Sequence, residues 1–75
     1  MFSQKISLRA ARVNAGLTQE QVAEALKVAK KTVQNWEKGV STPDVNQAFS
    51  LQELFHFPVG QIFFGEHSAE SEIRE

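Results

Sequence analysis

The sequence predicts an all-α fold: one compact domain of five short helices over residues 1–65, followed by an acidic tail at 66–75. Three observations predict it. Apolar residues recur at three- and four-residue spacing, and no alternating run is long enough for a half-buried strand. The two prolines and four glycines stand at helix-length intervals. Seventy-five residues, 41% of them apolar, suffice for one core and no second domain.

The first helix is expected over residues 6–15, with Leu8, Ala11 and Ala15 on one stripe and Gly16 as a left-handed cap. Thr18 opens the second. Its hydroxyl can cap the first turn, and Gln21 three residues on completes a capping box. Leu17 stands where a hydrophobic staple would pack on Val22, and Val22, Ala23 and Leu26 form the buried stripe. After a break at Lys27 and Val28, a third helix is expected over residues 30–38, stopped by Gly39. Val33 and Trp36 face inward there, while Lys30, Lys31, Gln34, Asn35 and Lys38 make two ridges on the opposite face. Asp44 can cap a fourth helix over 45–55, with Ala48, Leu51, Leu54 and Phe55 inward, and Pro58 can open a short fifth helix to about residue 64.

Composition excludes several function classes. Without cysteine there is no disulfide or thiolate site, and His56 and His67 sit in no ligand pattern, so neither a metal nor a cofactor is expected. No nucleophile–base pair or glycine-rich phosphate loop points to an enzyme. The N-terminus lacks a basic run followed by an apolar one, and no apolar run approaches the roughly 20 residues that span a bilayer, so a cytoplasmic protein is expected. The net charge of −1 argues against a nucleic-acid partner, but its distribution argues for one. Residues 1–43 carry seven basic and three acidic side chains, and residues 44–75 carry one basic and six acidic.

Residues 18–38 thus hold two short helices with a tight connection, the second of them with a core side and a polar side, which is a helix-turn-helix arrangement. Ala23 stands where the helices come closest, and Val28 and Val33 fill the angle between them. In such a unit the first helix crosses the phosphate backbone and the second enters the major groove. The run Gly16-Leu17-Thr18-Gln19-Glu20-Gln21-Val22-Ala23, followed by Thr32-Val33-Gln34-Asn35-Trp36-Glu37-Lys38-Gly39, resembles the phage Cro and repressor helix-turn-helix family, also called Xre-like. The likeness covers about residues 6–64 and implies a five-helix domain that binds operator DNA, commonly as a dimer, and regulates transcription.

The resemblance implies base-reading roles for Lys30, Lys31, Gln34 and Asn35, and phosphate contacts for Thr18, Gln19, Thr32 and Lys38. It also implies a structural ion pair between Arg12 and Glu37. Three departures stand out. Lys27 occupies a turn position the family usually gives to glycine, Ala29 replaces a capping Ser or Thr, and Val40 and Ser41 stand where Lys or Arg is common. The last of these leaves fewer phosphate contacts. Phe49, Phe55, Phe57, Phe63 and Phe64 crowd the last third, more than one small core easily buries, so a homodimer through Phe57, Ile62, Phe63 and Phe64 is expected on an inverted-repeat operator. The competing reading is a protein-interaction module on the same fold, antitoxin- or antirepressor-like, with weak or no DNA binding.

Overall fold

A computed structural model describes residues 5–65; the expected acidic tail lies outside the described residues. The element order is β1 (Ile6–Ser7), α1 (Leu8–Asn14), α2 (Gln19–Leu26), α3 (Lys30–Lys38), α4 (Val45–Phe55), a 3-10 turn (Val59–Gln61) and β2 (Ile62–Phe63). The four helices enclose a core of Leu8, Ala11, Val22, Ala23, Val33, Trp36, Leu51, Phe55 and Ile62.

Three of the four helices start where a side chain can satisfy their first free amides. Ser7 Oγ accepts from the Ala10 amide at 3.0 Å, so α1 begins at Leu8 rather than at Ile6. Thr18 and Gln21 form the reciprocal box that starts α2. Asp44 and Gln47 form a second box at α4, of which only the aspartate was expected. α3 starts at Ala29 without any side-chain cap.

The turn between α2 and α3 is made by Lys27, at φ 61° and ψ 45°. A side chain in this left-handed region costs about 1 kcal/mol that glycine avoids. Lys27 is exposed, so no packing offsets the strain. Lys27→Gly is therefore expected to stabilise the domain by roughly 1 kcal/mol, less the extra chain entropy glycine loses on folding. A urea midpoint equal to or below the parent's would show the turn to be unstrained.

Two expectations need correction at the chain ends. Ile6 is not helical, and the fifth helix is not an α-helix. After Pro58, the backbone makes one 3-10 turn and then extends, so that β2 pairs in parallel with β1, Ile6 opposite Ile62 and Ser7 opposite Phe63. The Val59 amide donates to Gln52 Oε1 at 2.8 Å, tying the turn to α4. Extension places Ile62 in the core at 5% exposure, which removes it from any dimer surface. Phe55 is buried, while Phe57 and Phe64 pack half-buried against the core. Phe63 is half-buried, and among the described residues Phe49 is the phenylalanine left open, at 55% exposure.

Candidate nucleic-acid interface

α2 packs against α3 through Val22, Ala23 and Val33, none of them more than 5% exposed, with half-buried Val28 in the corner. Ala23 is small enough for the two backbones to approach. Trp36, at 2% exposure, anchors the inner side of α3. With that side committed, Lys30, Lys31 and Lys38 are exposed, and Thr32, Gln34 and Asn35 are half-buried.

A hydrogen-bonded chain crosses from α1 to α3. Arg12 Nε donates to Glu37 Oε2 at 2.7 Å, and Arg12 Nη1 donates to the Leu17 carbonyl at 3.0 Å. Gln19 Nε2 donates to the other Glu37 oxygen at 2.9 Å, and Gln34 Nε2 donates to Gln19 Oε1 at 3.4 Å. Glu37 is buried, so its charge is held inside by a guanidinium and an amide rather than by water. The chain fixes where Gln19 sits and draws Gln34 toward α2. Gln34 is thus a braced side chain rather than one free on the outer ridge.

Lys30 is also engaged. Its ammonium donates to Glu20 Oε2 at 2.9 Å, joining the start of α3 to the start of α2. The Lys30 hydrogen bond, with help from the Glu20 backbone amide and the Lys30 charge, holds the Glu20 carboxyl below its ordinary pKa. Both partners are well exposed, so the pair adds little to stability. The pair carries no local sequence signal, because its partners stand ten residues apart across a turn. Lys31 and Lys38 have no acidic partner among the described residues. Thr18 is exposed, and its hydroxyl oxygen accepts the Gln21 amide.

A helix-turn-helix family model matches residues 8–62, from the start of α1 into β2. The chain belongs to the Xre-like helix-turn-helix family. This Xre-like domain is similar to the cryptic phage CTXphi transcriptional repressor RstR of Vibrio cholerae, 36% identical over 83% of the chain and 54% of the relative. It is also similar to the HTH-type transcriptional activator BcrR of Enterococcus faecalis, 32% identical over 87% of the chain and 31% of the relative. The Xre-like chain therefore spans from just under a third to about half of the length of these relatives. No solved structure matches it. Among the described residues, no helix is long and apolar enough to cross a membrane, and no cluster of His, Asp or Glu could hold a metal ion.

Proposed function

We propose that this domain is a sequence-specific DNA-binding transcriptional regulator, a repressor, with α3 in the major groove. One observation carries the reading: α3 is locked into the core by Val33 and Trp36 while Lys30, Lys31 and Lys38 stand exposed on its outer side. A helix held that rigidly can present side chains to base edges in a set register. Similarity to one protein named a transcriptional repressor and another named a transcriptional activator supports the regulatory role.

In this reading Lys30, Lys31, Gln34 and Asn35 meet bases, and lysine favours guanine O6 and N7. Lys30 exchanges the Glu20 carboxylate for its DNA partner on binding, and Gln34 acts while braced by Gln19. Thr18, Gln19, Thr32 and Lys38 meet phosphates and set orientation without reading sequence. Two copies act together through the C-terminal region, where Phe57, Phe63 and Phe64 remain partly open, on an inverted repeat whose half-sites lie about 34 Å apart. The function is binding, with no catalytic step, and a DNA partner places it in the cytoplasm.

Selection of bound duplexes from a random pool tests the proposal, with recovery of an inverted repeat as the expected outcome. On the selected site, Lys31→Ala is expected to cost about 1–3 kcal/mol and relax preference at one position. Gln19→Ala should weaken binding to all sequences through the lost phosphate contact and, by freeing Gln34, also relax preference at the base Gln34 meets. No enrichment from the pool, together with absent or salt-insensitive binding, would favour the protein-interaction module instead.

A further inference from the structure

A cleft of about 600 Å³ opens between α1 and the C-terminal half of α3, lined by Arg9, Arg12, Gln19, Gln34, Glu37 and Lys38 among others. We infer that this cleft seats a phosphate of the DNA backbone and that Arg9, on α1, is its principal ligand. The inference rests on the DNA-binding reading and extends the contact surface beyond the helix-turn-helix unit itself.

The charges in the cleft divide into two sets. Arg12 and Glu37 neutralise each other, and both Glu37 oxygens are taken, one by Arg12 and one by Gln19. The carboxylate therefore has no oxygen left unpaired toward the opening. Arg9 and Lys38 are exposed, line the same cleft, and have no acidic partner among the described residues. The cleft thus carries an excess of two positive charges, and its anion-facing donors are a guanidinium and an ammonium.

The guanidinium's planar fork matches two oxygens of one oxyanion at once, as a phosphodiester offers and a halide does not. The volume exceeds what a single phosphate group fills and suits a stretch of backbone. Position agrees with this occupant. With the N-terminal residues of a reading helix at the bases, its C-terminal end lies beside the backbone flanking the groove. Lys38 stands at that end, and Arg9 on α1 lines the same cleft.

The test is the salt dependence of binding to a random-sequence 20-base-pair duplex, which needs no knowledge of the operator. Each phosphate contact contributes about 0.9 to the slope of log affinity against log salt. Arg9→Gln is expected to flatten the slope by about that amount, so that the protein loses about 3.5-fold less affinity between 50 and 200 mM salt. Arg9→Lys should keep the slope with weaker binding. Lys27→Gln removes the same charge from the exposed turn outside the cleft and measures the effect of a remote charge. A slope change in Arg9→Gln no larger than in Lys27→Gln overturns the phosphate seat while leaving DNA binding standing. Failure of the parent protein to bind any duplex overturns both.

Discussion

Glu37→Ala is expected to lower the stability of this domain by about 3–5 kcal/mol, the usual cost of removing one partner from a buried ion pair. Glu37 is 8% exposed and accepts from Arg12 at 2.7 Å and from Gln19 at 2.9 Å. Without it, the Arg12 side chain, only 13% exposed, keeps its charge with the Leu17 carbonyl as its one acceptor. Gln19 also loses the anchor that sets its position. In a domain with about 5–15 kcal/mol in total, such a loss removes a large share of the folded population's margin. Replacing both partners by leucine should recover most of the loss, because no uncompensated charge then remains inside. Urea unfolding of the three proteins checks this. A Glu37→Ala midpoint close to the parent's would mean that water reaches Arg12 freely.

Gly39→Ala carries the second large effect. Gly39 ends α3 at φ 83°, where a Cβ costs about 1–2 kcal/mol of backbone strain. That Cβ would also lie 3.0 Å from the Cα of Gly65, a backbone atom that cannot rotate away. Displacing it should add about 1–3 kcal/mol, as overpacking does elsewhere. Gly16→Ala is the internal comparison. Gly16 has nearly the same φ, 77°, but a Cβ there meets nothing within 4 Å. The difference between the two variants in thermal unfolding isolates the contact between Gly39 and Gly65. Equal losses would show that the end of the described chain yields without cost.

The helix-turn-helix unit was legible because its signals are local. Thr18 and Gln21 are three residues apart, Lys27 sits in a turn whose geometry follows from the helices on either side, and Gly39 stops α3 directly. The pairing of Arg12 with Glu37 came from the resemblance to a known family, since nothing in a spacing of 25 residues announces it. The features that escaped are non-local. Strands of two residues are too short to alternate, so Ile6–Ser7 and Ile62–Phe63 carried no periodic signal. A helical reading of residues 58–64 put Ile62 on a surface, whereas pairing with Ile6 turns it inward. Periodicity puts Gln34 on the outer ridge but does not reveal that its amide reaches Gln19. Arg9 carries no local signal because its cleft forms only when α1 docks beside α3.

The parallel pairing of Ile6 with Ile62 joins the two extremes of the described chain. Contacts between α2 and α3 close short loops and lose little chain entropy, whereas this clasp must gather nearly the whole fold between its halves. The domain thus behaves as a ring fastened at one point, and because the two strands are parallel the described chain runs into Ile6 and out of Phe63 in the same direction. A longer protein could carry this unit as an insert as readily as at a terminus, because its entry and exit are already neighbours.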